Sequence, residues 1–315
     1  MAYQQQIDKP AVIDYAPIAL FVYGRAEHTR RTLEALRSNE LAEASDLFIF
    51  SDGAKNEAAT AKVTDVRALL RQITGFRTVT IIERDQNYGL AKSIVDGVTT
   101  LCARFGRVIV VEDDLLTSPT FLTYMNLGLN RYADSPKVFQ VAAYNLCGNL
   151  PGTNDAFFLP FSSSWGWATW SRAWAIWDAE GSGFERLQSD KSIRYQFDLN
   201  GSYPFFRMLC DQRLKKNDSW AIRWYLAVFL AGGLVLYPRK SLVENIGFDG
   251  SGEHCGNETS DVTRSFDSPP QNLPAVAETS VSDYIDTCKF LRKGGSTAGS
   301  GPQSLIRRIS KWLKN

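Results

Sequence analysis

Histidine is nearly absent from this chain: His28 and His254 are the only two in 315 residues, too few for a His-rich zinc site. Cysteine is sparse and unpatterned. Cys102, Cys147, Cys210, Cys255 and Cys288 form no CxxC pair, and an odd, scattered set suits free thiols in a reducing compartment better than a disulfide framework. Neither sign of charge dominates. A formal net charge of +1 argues against general nucleic-acid binding, so any basic surface is local. No run approaches the roughly 18–20 apolar residues of a membrane span. The opening MAYQQQIDKPAVIDYAP lacks the apolar segment of a cleavable signal peptide, and a cytoplasmic location is expected. A glycine-rich dinucleotide fingerprint is also missing. The first apolar run is followed by Tyr23-Gly24-Arg25-Ala26-Glu27, whose single glycine disfavours an NAD or FAD site. No internal repeat is visible.

What is present is an ordinary globular composition, 44% hydrophobic and 22% charged, with length for one large α/β domain or two modest ones. The first half alternates strand and helix signals. Strands are predicted over 18–23, 46–51, 78–83, 107–111 and 138–142, and helices over 29–38, 57–73, 90–105 and from about 119. Strands spaced by helices with short loops form right-handed βαβ units and a mainly parallel sheet.

The second half changes character. Aromatics crowd 157–177 and 220–229, which points to a second lobe closing over the sheet. Trp167, Trp170, Trp174 and Trp177 recur at three- and four-residue intervals, predicting one helix face that is more often core than ligand platform. Trp165 precedes Gly166 at the expected helix entry, where an exposed ring could stack on a sugar. Residues 251–279 are polar, 294–302 have a flexible linker's composition, and SLIRRISKWLKN follows. There Leu305, Ile306, Ile309, Trp312 and Leu313 share a helical face opposite Arg307, Arg308, Lys311 and Lys314. Such a cationic helix suits an anionic membrane surface, at the inner membrane face, or docking on its own domain. The expected organisation is an extension (1–16), a strand-helix alternating half (17–145), an aromatic-rich half (146–290), a linker (291–303) and a basic helix (304–315).

The chemistry gathers where strands end. Glu112, Asp113 and Asp114 stand directly behind Val108-Ile109-Val110-Val111, a buried parallel strand emerging at its carboxyl end, where open α/β sheets bind ligands. Adjacent carboxylates repel unless a cation or ligand donors offset the repulsion, and Mg²⁺ or Mn²⁺ prefers such oxygen ligands. A helix cap would explain one acid, not three. The other strand ends bring Tyr23 and Arg25, Ser51 and Asp52, and Arg84 and Asn87 to the same edge. Acids, a guanidinium and small polar groups there can hold a nucleotide. His28 is expected to sit in a first helical turn without a role. His254, in a polar loop, is either solvated or a further contact to metal or diphosphate.

The stretches PIALFVYGRAEHTRRTLEAL, FIFSDG, ERDQNYGLAKSI and VIVVEDDL, then WGWATW and DSWAIRWYLAVFLAGGLVLYP, resemble inverting, nucleotide-sugar-dependent glycosyltransferases of the GT-A fold. The resemblance is nearest to family 2 enzymes and the N-acetylglucosaminyltransferase I type, and spans residues 17–255. It implies a mainly parallel, Rossmann-like sheet flanked by helices, with an aromatic-rich acceptor-side lobe, so that 17–145 is the nucleotide-sugar-binding half and 146–290 the acceptor-binding and catalytic half. By the same resemblance Asp114 binds Mn²⁺ or Mg²⁺, Glu112 and Asp113 face ribose and sugar, and Asp52 recognises the nucleoside. Arg84, Asn87, Gly89 and Lys92 match the segment beside nucleotide and donor sugar. Asp218 matches the catalytic base, with Ser219 in place of the family's second acid. Asp178, Glu180 and Glu185 are its competitors, and a helix N-cap is the other reading of Asp218. The implied partners are a nucleotide-diphosphate sugar, UDP-linked by expectation, and a glycan or lipid-linked acceptor in surface-polysaccharide assembly. The rivals are a nucleotidyltransferase, which would want a glycine-rich basic loop after the first strand, and a sugar-nucleotide-binding protein without turnover.

Overall fold

The structure, a computed structural model, describes residues 15–147, 150, 152–248 and 270–293. Its first half is β1 (Ile18–Val22), α1 (Ala26–Arg37), β2 (Asp46–Ser51), α2 (Glu57–Leu70), β3 (Thr78–Glu83), α3 (Leu90–Phe105), β4 (Arg107–Glu112), β5 (Leu115–Thr117), α4 (Phe121–Arg131) and β6 (Val138–Ala142). The second half is β7 (Ala156–Leu159), β8 (Trp167–Trp170), α5 (Ser171–Trp174), α6 (Phe184–Ser189), α7 (Lys191–Phe197), α8 (Phe205–Arg213), α9 (Trp220–Leu230), β9 (Leu234–Pro238), β10 (Val243–Asn245) and α10 (Val281–Arg292).

One eight-stranded sheet runs β3-β2-β1-β4-β8-β6-β9-β7. Strands β1 to β4 are mutually parallel, while β8 is antiparallel to both β4 and β6. The sheet is mixed α/β and mainly parallel, flanked by helices, as the alternation predicts. Strands buried on both faces read as unbroken apolar runs, and β1 (IALFV) is buried throughout. β3 at the edge (TVTIIE) is partly exposed. Among the described residues no helix is long and apolar enough to cross a membrane.

The tryptophan series departs from the helical expectation. Trp167 and Trp170 lie in β8, Trp174 ends the short α5, and Trp177 follows it. The WATW segment is captured by antiparallel pairing with β4, in register Val110↔Trp167 to Arg107↔Trp170, which outweighs a chance three-four spacing. The core role holds. Trp167 is fully buried and its ring lies 5.2 Å from Trp220, 5.9 Å from Trp174 and 6.5 Å from Trp224. The second half therefore supplies an inner strand of the shared sheet as well as the aromatic cluster packed beside it. At the far edge, Arg239 grips Asp283 of α10 through both guanidinium nitrogens, at 2.8 and 3.1 Å. The expected linker and basic helix, from residue 294 on, lie outside the described residues, as does His254.

Candidate active site

The carboxyl ends of β1, β2, β3 and β4 point the same way, so the residues behind them share one edge. Glu112, Asp113 and Asp114 are all buried. The Arg25 guanidinium, from the turn between β1 and α1, binds both aspartates: Nη2 donates to Asp113 Oδ1, and to Asp114 Oδ2 at 2.9 Å. Burial opposes the Arg25 charge, but Asp113 and Asp114 outweigh it and raise its proton affinity. Burial pushes the Glu112 carboxyl well above the ordinary range, with Asp114 and Asp113 adding to the effect. Burial also raises Asp113, with Arg25 opposing. Among the described residues Glu112 Oε1 has no hydrogen-bond partner, although a buried acceptor left so costs about 1–3 kcal/mol.

A small antiparallel ribbon, β5 with β10, closes over these acids. Ile246 donates its N–H to the Asp114 carbonyl at 2.9 Å, and Asn245 Nδ2 reaches Asp114 Oδ1 at 3.4 Å. Asn245 Oδ1 accepts from Gly247 N at 2.8 Å. A methyl group at Gly247 would collide with the Asp114 carboxylate and come within 3.0 Å of Arg25, so glycine permits this close approach. His28 sits in the first turn of α1, as expected, and touches this closure. It is buried in α1, with Nε2 3.3 Å from the Ile246 carbonyl.

Among the described residues no three His, Cys, Asp or Glu side chains form a ready metal-ligand group. A hard divalent ion that also binds substrate phosphates, however, uses only one or two protein carboxylates. Asp113 and Asp114 already share one cation, the Arg25 guanidinium. These two acids are the donor set that fits such an ion in kind.

Asp52 is held by its neighbours. Oδ1 accepts from Gly53 N (2.9 Å) and Tyr88 N (2.8 Å), and Oδ2 from Asn87 Nδ2 (3.1 Å) and Gly89 N (2.9 Å). Gly89, at φ +72° before α3, adopts backbone that favours glycine, which lets consecutive N–H groups converge on one carboxylate. Arg84 is likewise engaged, donating to Ser93 Oγ (2.6 Å) and Asp96 Oδ2 (2.7 Å). Tyr88 lies between two cations, with Arg84 4.2 Å and Lys92 Nζ 4.0 Å from its ring centroid. Tyr23 Oη accepts from Lys55 N at 3.1 Å, and Ser51 Oγ from Arg67 Nε at 3.3 Å.

Sequence reasoning passed over Arg67, Tyr88, Asn245 and Gly247. Arg67 also donates to the Arg84 carbonyl at 2.7 Å, bracing two strand ends from the last turn of α2. Tyr88 stood inside a segment already singled out. Asn245 meets Asp114 across 131 residues of sequence, with Gly247 two positions further on, and no local pattern announces such contacts.

Trp165 differs from the expected exposed platform. It is 3% exposed, packed 4.5 Å from the Tyr144 ring and 5.6 Å from Phe248. Tyr144 and Phe248 pack against it, and its burial leaves neither ring face open for stacking.

Asp218 precedes α9. That helix descends from Trp220 against Trp167, through Trp224 bonded to Gln140, to Val228 near Gly233. It thus runs antiparallel to β6 and β9, and its N-terminus lies at the same sheet edge as the acids. Ser219, not Asp218, caps it, accepting from Ile222 N at 3.3 Å. The Asp218 side chain is 76% exposed and pairs with Arg223 at 2.9 Å. It lines an open hollow of about 710 Å³ together with Glu180, Arg213, Lys215, Asn217 and Arg223. Of the competing acids, Asp178 accepts from Glu180 N at 2.9 Å and from Ser182 N, while Glu185 pairs with Arg213 at 2.9 Å.

No family model matches the chain, and no curated protein matches it. Solved structures with a likeness include S. aureus TarS, at 10% identity over 75% of this chain and 37% of that one, TM-score 0.41. GalNAc-T7 with UDP, GalNAc and Mn²⁺ matches at 9% identity over 71% and 42%, TM-score 0.42. The mannosyltransferase PcManGT from Pyrobaculum calidifontis, with GDP-Man and Mn²⁺, matches at 13% over 49% and 45%, TM-score 0.34. The chain spans less than half the length of each of these structures.

Proposed function

We propose that this protein is a metal-dependent, inverting glycosyltransferase. It would move a sugar from a nucleotide-diphosphate sugar, UDP-linked by expectation, to a hydroxyl of a glycan or lipid-linked acceptor. One observation carries the proposal. Four parallel strands end at one edge, where buried Asp113 and Asp114 are arranged around a cation, with Asp218 at the N-terminus of a helix on the same edge.

An Mn²⁺ or Mg²⁺ ion held by Asp114 with Asp113 would neutralise charge on the departing diphosphate. Arg25 bears a second positive charge next to these acids and is suited to a phosphate oxygen by its planar fork. Glu112, with an unused buried acceptor, would accept from a ribose or sugar hydroxyl. Tyr23, Ser51, Asp52, Arg84, Asn87, Gly89 and Lys92 line or brace the nucleoside side. Asp218 would take the acceptor hydroxyl's proton as that oxygen attacks the anomeric carbon from the face opposite the leaving group.

A sugar-nucleotide-binding protein without turnover is the second reading, and one observation favours it: Arg223 sits 2.9 Å from Asp218, and a neighbouring cation weakens a base. A nucleotide-sugar panel separates the two when assayed for thermal shift and hydrolysis with and without Mn²⁺. The transferase should show a metal-dependent shift with one donor, lost in Asp114→Asn, and Asp218→Asn should keep that shift while losing transfer. No shift with any donor, or an unchanged shift in Asp114→Asn, overturns the proposal.

A further inference from the structure

We infer that the hollow beside Asp218 is an acceptor subsite for a sugar bearing an anionic group, a carboxylate or a phosphate, with Lys215 as the residue that selects it. The inference rests on the transferase reading for Asp218 as base, and its own evidence is the chemistry of the hollow. A volume of about 710 Å³ lies within the size range of small-molecule sites. Three cations line it, and two have carboxylate partners: Arg223 pairs with Asp218 and Arg213 with Glu185, each at 2.9 Å. The Lys215 ammonium has no ion-pair or hydrogen-bond partner among the described residues, and neither does the Glu180 carboxylate. One unpaired ammonium and one unpaired carboxylate thus belong to residues lining the same open hollow. The carboxylate suits sugar hydroxyls, and the ammonium suits an acid.

The backbone of Lys215 is the second observation. Lys215 N donates to Gln212 O and Lys216 N to Asp211 O, both at 2.9 Å. This closes α8 with the paired bonds of a Schellman motif and places Lys215 in its left-handed position, at φ +56°. Glycine is favoured there, and an L side chain is strained. A helix C-terminus welcomes a lysine charge, but lysines one turn earlier would supply that without the strain. Strain kept at the mouth of a hollow beside the candidate base points to a task for the side chain.

The test is equilibrium titration of the full chain without donor or metal. The probes are p-nitrophenyl β-D-glucuronide, glucose 6-phosphate and the neutral p-nitrophenyl β-D-glucoside, for wild type, Lys215→Gly and Lys215→Asn. The expected result is that one anionic probe binds about fivefold tighter than the neutral one, that the preference falls in 0.5 M salt, and that both variants lose it while their Tm is unchanged or raised. The glucuronide and phosphate arms decide which acid the site takes. Equal binding of all three probes, or a preference that survives both variants, overturns the inference. Because donor and metal are absent, failure of the nucleotide-sugar panel would sink the transferase reading while leaving this preference measurable.

Discussion

Asp113 and Asp114 are neighbours in the chain and both buried, and a single guanidinium lets them stay there. Removing one partner of a buried ion pair leaves the other charge uncompensated, at a cost of about 3–5 kcal/mol. Because Arg25 retains some solvent contact, Arg25→Ala should sit near the lower bound, lowering Tm by roughly 6 °C. Mn²⁺ should raise the Tm of the variant more than that of wild type, because the ion takes the place of the missing charge. Equal shifts in a thermal melt would refute this. Asp46 offers a pH test away from the site. Hydrogen bonds from Arg77 Nε (2.8 Å) and Nη2 (2.6 Å), helped by Thr78, outweigh partial burial and hold its carboxyl below the usual range. A depressed carboxyl contributes stability above its ordinary titration range and loses it as pH falls through the folded value. Asp46→Asn should therefore be less stable by up to about 1 kcal/mol at pH 7, a surface-pair magnitude. The gap should close in urea melts taken progressively below the usual carboxylate range.

α9 separates structure from chemistry at adjacent positions. Ser219 accepts the capping bond, so Ser219→Ala should cost about 1 kcal/mol. Asp218→Asn removes only an exposed ion pair and should change stability by less than about 0.5 kcal/mol. If transfer collapses in Asp218→Asn at unchanged Tm, the carboxylate acts in the reaction; equal destabilisation by both variants would mean that both serve the helix end. Element by element, legibility follows locality. The bounds of β2, β3, α3 and β6 match those expected from apolar runs and flanking turn residues, because those signals lie within the segment itself. β8 escaped because WATW, buried at every position, carries no strand alternation while its tryptophans fall at a helical spacing, and only its neighbours β4 and β6 resolve the ambiguity. The β5–β10 ribbon escaped because each strand is three residues long, too short to carry a period.

At the scale of the molecule, the sheet order makes the two halves of the chain interdependent. β8, from the second half, lies between β4 and β6 of the first, and Trp167 packs it against α9. Truncating a fully buried aromatic costs about 3–5 kcal/mol. Trp167→Ala should lower the denaturation midpoint of the whole molecule while leaving one cooperative transition, seen alike by tryptophan fluorescence and far-UV circular dichroism. Two separated transitions would show that the halves unfold independently.

The sequence by itself determined the mainly parallel α/β architecture and the edge where the buried acids gather, because strand burial and the acids behind a strand are written in consecutive residues. It also placed Arg25, Asp52, Glu112, Asp113 and Asp114 together, since parallel strands present their carboxyl ends side by side. Only the tertiary structure decided that Arg25 bridges the two aspartates and that Asn245 and Gly247 close over them. It alone decided that Trp165 is covered and that Asp218 opens onto a hollow containing Lys215. Those outcomes depend on contacts between segments far apart in sequence, and such contacts form only once the sheet order has brought the segments together.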